Sequence, residues 1–348
     1  MLLLTVSLGN RGIGQQSSDS ATSAPLTLTG AIPLANAQGR IDHFAFDPGN
    51  RLFVSALGND SEEIIDLSAQ RSIHSITGLP TPQGVVYSPE TNKLFVASAK
   101  GKLYIFDGTS FSLITTIDFR DDADNLRYDP ASKLVYLGYG DGDSAAIAVI
   151  DATTNQRQQE FKVGAHPESF QLETSGPNIF VNLPDKKQIA VVNRKSHTVS
   201  KWPLKLGGNF PMALDETHHR LFIATRTPSR LAVFDTKSGQ MVAALPCVQD
   251  ADDLYFDAER RRIYIPGGEG YISVFQQKDA DHYTPIAKIR SALGARTAGY
   301  AGKIGKKGFD RLYLAVPARA DRKAEVWITR WRTDRDLGKI APTNVQLP

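Results

Sequence analysis

The chain has 348 residues, 41% hydrophobic and 22% charged, a composition that excludes wholesale disorder. Forty Lys+Arg against 37 Asp+Glu leave a net charge of +3, too weak a global field to argue for nucleic-acid binding. A single cysteine, Cys247, excludes an internal disulfide framework, a thiolate zinc cluster and c-type haem attachment, and no run approaches the roughly 18 apolar residues of a membrane span.

Residues Met1 to Leu8 are apolar but have no basic leader, and Gly9 to Ser23 is rich in Gly, Ser, Gln and Thr. Residues 1–24 read as a disordered leader or the remnant of an export signal, processed before Pro25. That reading implies a periplasmic or extracellular protein, which the near-absence of thiols suits. A floppy tail on a cytoplasmic protein is the alternative.

From there the chain repeats. A basic or polar residue followed by an apolar strand appears as Arg51-Leu52-Phe53-Val54, Lys93-Leu94-Phe95-Val96, Lys133-Leu134-Val135-Tyr136 and Asn178-Ile179-Phe180-Val181. It returns as Arg220-Leu221-Phe222-Ile223, Arg262-Ile263-Tyr264-Ile265 and Arg311-Leu312-Tyr313-Leu314. The seven copies are spaced by 42, 40, 45, 42, 42 and 49 residues.

Each copy has a second apolar run about a dozen residues later, as in Leu103-Tyr104-Ile105-Phe106-Asp107 and Leu231-Ala232-Val233-Phe234-Asp235. Continuous runs rich in β-branched residues indicate strands covered on both faces. The closing Asp suits a turn, because its side chain can accept hydrogen bonds from backbone amides two residues on. A more polar outer strand follows, as in Ser72 to Ile76 and Leu113 to Ile117. A fourth strand precedes the apolar anchor, as in Phe44-Ala45-Phe46-Asp47-Pro48 and Leu126-Arg127-Tyr128-Asp129-Pro130.

Four antiparallel strands in a repeat of about 42 residues, seven times over, is the arithmetic of an all-β seven-bladed propeller. The seventh repeat lacks an outer strand after Trp327, whereas Leu26 to Leu34 resembles the outer strands elsewhere. The N-terminal strand is therefore predicted to complete the last blade and close the ring, which removes two sheet edges. The propeller is expected over 25–330, with a polar tail over 331–348.

The repeat units Asp47-Pro48-Gly49-Asn50-Arg51-Leu52-Phe53-Val54 and Ser88-Pro89-Glu90-Thr91-Asn92-Lys93-Leu94-Phe95-Val96 resemble those of the YVTN, or YncE-like, propellers, a WD-repeat-like bacterial superfamily. The strands Phe53-Val54-Ser55-Ala56 and Phe180-Val181-Asn182 stand where that family has Tyr-Val-Thr-Asn. The resemblance covers about residues 25–330 and implies a binding or cell-surface protein; it assigns no activity.

In a propeller, the loops entering the innermost strands form one mouth of the central channel. Here they carry Arg40, Asp42 and His43; Gln83; Asp121, Asp122, Asp124 and Asn125; His166 and Glu168; Asn209; Asp250, Asp252 and Asp253; and Arg296. Eight acids stand against three bases once Arg120 is included, an acidic mouth on a protein that is +3 overall. Crowded carboxylates persist only if solvated, protonated, hydrogen-bonded or neutralised. Two explanations stay open. One is structural, with Asp side chains bonding nearby loop amides. The other is a ligand: a small molecule, a protein or a divalent cation at the funnel. Asp124, Glu168 and Asp252 offer hard oxygens for Ca²⁺ or Mg²⁺, and His43 and His166 would admit Zn²⁺.

The remaining candidates carry less. His218-His219 reads as a solvated turn, and Gly267-Gly268-Glu269-Gly270 joins two strands, so it lacks the helix N-terminus of a phosphate site. Lys303, Lys306, Lys307, Arg319, Arg322 and Lys323 put a basic edge on the seventh blade. The expected function is a monomeric, non-enzymatic binding protein. The alternative is a metal-dependent enzyme of lactonase or lyase type in the same funnel, and a third reading is a structural cell-surface role.

Overall fold

The computed structural model describes residues 25–303, 308–320 and 322–331. The leader expected over 1–24, the tail beyond Trp331, and Lys306 and Lys307 lie outside them. The described residues form seven four-stranded antiparallel sheets, six of which take their strands in chain order. Blade 1 runs outward from the axis as Phe44–Asp47, Arg51–Ala56, Ser61–Asp66 and Arg71–Thr77. Blade 7 consists of Ala298–Ala301, Arg311–Val316 and Glu325–Trp331, with Leu26–Pro33 as its outermost strand. The inner strands of blades 1 and 7 touch, so the array is a closed ring.

Closure is made by hydrogen bonding and by packing. Leu26 pairs with Trp331 and Pro33 with Glu325, with one register shift between Leu28 and Gly30. Ile32 is fully buried and shares a core cluster with Leu52, Val54 and Ile65 of blade 1 and with Tyr313 and Val326 of blade 7. The N-terminal strand thus contributes to the interface between the first and last blades.

Similar clusters sit between other neighbours. Phe53 and Ile64 pack with Leu94, Val96 and Phe106 of blade 2, while Val54 and Ile65 face blade 7. Adjacent residues such as Phe53 and Val54 point to opposite faces, and both faces are buried. This is why the anchor strands read as unbroken apolar runs rather than as alternation.

The basic residue before the anchor strand ties blades together. Lys93 Nζ donates to the carbonyls of Ala152 at 2.8 Å and Thr153 at 2.9 Å and to Asn155 Oδ1 at 2.8 Å, all in the outer turn of blade 3. Arg51 donates to the Gly108 carbonyl of blade 2. Arg220 donates to Ala280 O at 3.0 Å and Asp281 Oδ1 at 2.6 Å in blade 6, and to its own blade's Asp235 Oδ2 at 2.5 Å. The turn aspartates are tied in turn. Asp235 Oδ1 accepts from the amides of Lys237 and Ser238 at 3.0 and 2.8 Å, and these bonds, led by Ser238, hold its carboxyl below the usual range. Replacing Arg220 with Ala strands this turn and should cost about 2 kcal/mol, read by urea unfolding; the exposure of Asp281 keeps the cost below that of a fully buried pair.

Glu62 is a buried acid between blades 1 and 2. It is fully enclosed, its Oε2 accepts from Ser55 Oγ at 2.8 Å, and its Oε1 has no hydrogen-bond partner among the described residues. Burial pushes its carboxyl well above the ordinary 4.5, with Glu63 adding to the rise against the Ser55 bond. The folded state therefore holds a proton that the unfolded state releases. Its stabilising share is complete below 4.5 and is lost as the pH climbs through the elevated folded value. Glu62→Gln should flatten the decline of melting temperature as the pH rises above the ordinary 4.5; an unchanged pH profile would contradict the assignment.

Candidate functional site

The loops that enter the inner strands converge on one mouth, and a recurring bulge turns their side chains toward it. In blade 3 the ladder runs from Ala123↔Tyr139 to Leu126↔Leu137 with a register shift between, which lifts Asp124 and Asn125 out of the pairing. Blade 2 does the same between Pro82 and Val85, which frees Gln83 and Gly84. Gly84 is required there, because a Cβ would lie 2.1 Å from the carbonyl oxygen of Asp124. In blade 6, Ala251 bridges Gly267 and the ladder resumes at Tyr255↔Tyr264, leaving Asp252 and Asp253 between. The similar stretches Asp-Ala-Asp-Asn-Leu and Asp-Ala-Asp-Asp-Leu thus occupy equivalent bulges.

The result is a cavity of about 220 Å³ with a residue from every blade on its wall. Arg40, Asp42, His43, Gln83, Asp124, Asn125, His166, Glu168, Asp252 and Arg296 all line it. Below it a channel of about 540 Å³ runs among the inner strands, and His43 and Ser169 line both. Asp253 faces this channel. Asn209 is the exception. It is fully buried away from the wall, and its Nδ2 donates to Asn182 Oδ1 and Gln188 O, both at 3.0 Å. Asn182 donates onward to the carbonyls of Phe210 and Pro211 at 3.1 and 3.2 Å, so this pair shapes the loop that carries Phe210.

The mouth divides electrostatically. On blades 5 to 7, Arg226 Nη2 reaches Asp252 Oδ1 at 2.6 Å and Arg296 Nε reaches Asp252 Oδ2 at 2.9 Å. Arg296 Nη1 also meets Asp250 Oδ1 at 3.0 Å, and the Arg226 guanidinium lies 3.9 Å from the Phe210 ring centroid. Two arginines neutralise two aspartates. Both oxygens of Asp252 are engaged, which removes it from the candidate metal ligands. Arg226 is the cavity-lining residue that escapes a reading limited to inner-strand loops. It ends the anchor strand Arg220–Arg226, whose antiparallel course returns to the same mouth.

On blades 1, 3 and 4 the acids are less fully paired: Asp42 and Asp124 are buried and Glu168 is half-buried. Burial raises the Asp42 carboxyl, and Asp252 and Asp253 add to the rise against His43 and Arg40. Burial likewise raises Asp124, with Glu168 the largest charge contribution. Glu168 is pushed to about 7 by burial, then by Asp252 and Asp42 against His43 and Arg226. Burial would push the His43 imidazole down, but Asp42, the hydrogen bond to Asp253 and the charges of Asp253 and Asp124 outweigh it and hold it near 10. His43 Nδ1 lies 3.5 Å from Asp253 Oδ1 and its Nε2 4.0 Å from Asp42 Oδ1, so a carboxylate faces each ring nitrogen and favours the protonated ring. The two histidines thus differ in kind. His166 Nδ1 sits 2.9 Å from the Gly140 carbonyl, which can only accept, so Nδ1 donates there and Nε2 is the ring nitrogen turned to the mouth.

Asp124, His166 and Glu168 each present one donor atom within 4.8 Å of the others. Away from the mouth, burial lifts the Cys247 thiol to about 12, which makes it a poor nucleophile.

No protein-family model matches the chain, and no curated protein matches it. Among solved structures, the chain is similar to Kuenenia stuttgartiensis hydrazine synthase at 15% identity and a TM-score of 0.67, over 82% of this chain and 96% of that one. It is also similar to a chain of a mitotic checkpoint complex at 12% identity and a TM-score of 0.72, over 94% of this chain and 98% of that one. At these identities the likeness is one of fold alone.

Truncating Arg226 leaves Asp252 with one arginine. Arg226→Ala should lower stability by about 2 kcal/mol, and a double-mutant cycle with Asp252→Asn should return a coupling above about 1 kcal/mol. Additive effects would mean the pair is not formed in solution.

Proposed function

We propose that this propeller is a non-enzymatic, YncE-like binding protein that takes a small ligand bearing positive charge or several hydroxyl groups at the mouth of its ring. The observation that carries the reading is the 220 Å³ cavity, to which all seven blades contribute and in which Asp42, Asp124 and Glu168 lie close together. Rigid strands hold these groups at fixed positions, and the loops that bear them are free to vary without cost to the fold. A cationic ligand head would replace part of the hydration the carboxylates lose on burial, and the more apolar channel below would receive its body. Export to the periplasm or cell exterior fits this reading.

One observation favours a second reading, a metal-dependent hydrolase or lyase. Glu168, pushed to about 7, is poised to take or give a proton at neutral pH. His43, which Asp42 and Asp253 hold toward its protonated form, is the poorer proton carrier of the two.

The test is a calorimetric titration of the chelator-treated full chain with polyamines and polyols. A binding isotherm in the wild type, weakened at least about tenfold by Asp42→Asn, supports the mouth as the site. Binding that survives Asp42→Asn together with Gln83→Leu places the ligand elsewhere.

A further inference from the structure

The geometry points to a divalent first-row transition-metal site formed by Asp124, His166, Glu168 and Asn125 at the mouth of the ring. This rests on the reading of the mouth as a binding site and names a resident ion for it. Three observations converge. The donor atoms of Asp124, His166 and Glu168 already lie within 4.8 Å of one another, and modest side-chain rotation would bring them to the roughly 3.4 Å edge of a tetrahedron with bonds of about 2.0–2.1 Å. The Gly140 carbonyl takes up His166 Nδ1 and orients the ring so that Nε2 faces Asp124 Oδ2, 4.0 Å away, as the nitrogen open to an ion. A metal-binding imidazole needs such an outer partner for its other nitrogen.

The third observation comes from a neighbouring residue. Asn125 is 2% exposed and lines the same cavity, and its Oδ1 has no hydrogen-bond partner among the described residues. Its Nδ2 donates to Asp124 Oδ2 at 3.2 Å, which leaves Oδ1 as the unused acceptor. A buried amide oxygen without a donor is costly, and a cation relieves it. A fourth donor of this kind completes the set.

The donor types select the ion. Two carboxylates match a charge of +2, and one imidazole nitrogen favours zinc and its first-row neighbours over magnesium or calcium, which prefer oxygen alone. Asp252 plays no part, because Arg226 and Arg296 occupy it. His43 plays none either, because its two ring nitrogens face Asp42 and Asp253 instead.

The full chain, stripped with chelator, is titrated with Zn²⁺ and with Ca²⁺. One Zn²⁺ per chain is expected, with Ca²⁺ much weaker. Affinity should fall at least about tenfold in His166→Gln, Glu168→Gln and Asn125→Ala. It should be unchanged in His282→Gln, which removes an exposed histidine paired with Asp279 and so reports surface binding. Pulsed EPR of wild-type protein carrying one equivalent of Cu²⁺ needs no variant and should show one coordinated imidazole. Absence of a one-ion isotherm, survival of Zn²⁺ binding in both His166→Gln and Glu168→Gln, equal Ca²⁺ affinity, or a copper signal without imidazole each overturns the proposal. The polyamine and polyol titrations use metal-free protein, so failure of the metal and failure of the mouth as a binding site are read separately.

Discussion

The pairing of Leu26–Pro33 with Glu325–Trp331 is the constraint on which the rest of the structure depends. Each blade buries both faces against neighbours, so an open array would leave two blade faces and two strand edges in water. The N-terminal strand prevents that with a backbone ladder and with Ile32 in the shared core. The candidate site follows from the same closure. Arg296 of blade 7 and Asp42 of blade 1 can line one cavity only because the last and first blades are neighbours.

Within the ring, charge is handled locally. At the periphery, turn aspartates accept from nearby amides and from basic residues that precede the anchor strands. At the axis, blades 5 to 7 cancel charge with arginine, whereas blades 1, 3 and 4 leave carboxylates that burial pushes toward the neutral form. One mouth therefore contains a settled half and an unsettled half. The unsettled half is where a ligand gains the most by replacing lost solvation.

The architecture was legible in the sequence because the signal repeats: seven apolar anchors, each preceded by a polar or basic residue, and most of the second strands closing on Asp or Asn. The role of the basic residue in linking blades was not, since it depends on the partner about 60 positions on, as in Lys93 and Ala152. The mouth was legible insofar as inner-strand loops line it, so eleven of the fifteen loop residues named from the sequence meet in one cavity. Asn209 fell outside because a polar residue in such a loop can equally turn inward to support it. Arg226 was missed because it enters from the end of a different strand, and without it the acidic excess of the mouth was overcounted.

The register of the closing strands has a mechanical consequence. Leu26 faces Trp331, so the chain enters and leaves the ring at the same end of that ladder. Tension applied through both flanks would load its hydrogen bonds one after another, as a zipper opens, and not all together in shear. The ring is thus more easily opened by a pull on these two flanks than a ladder loaded in shear would be. A tether at either flank would hold the same edge of blade 7.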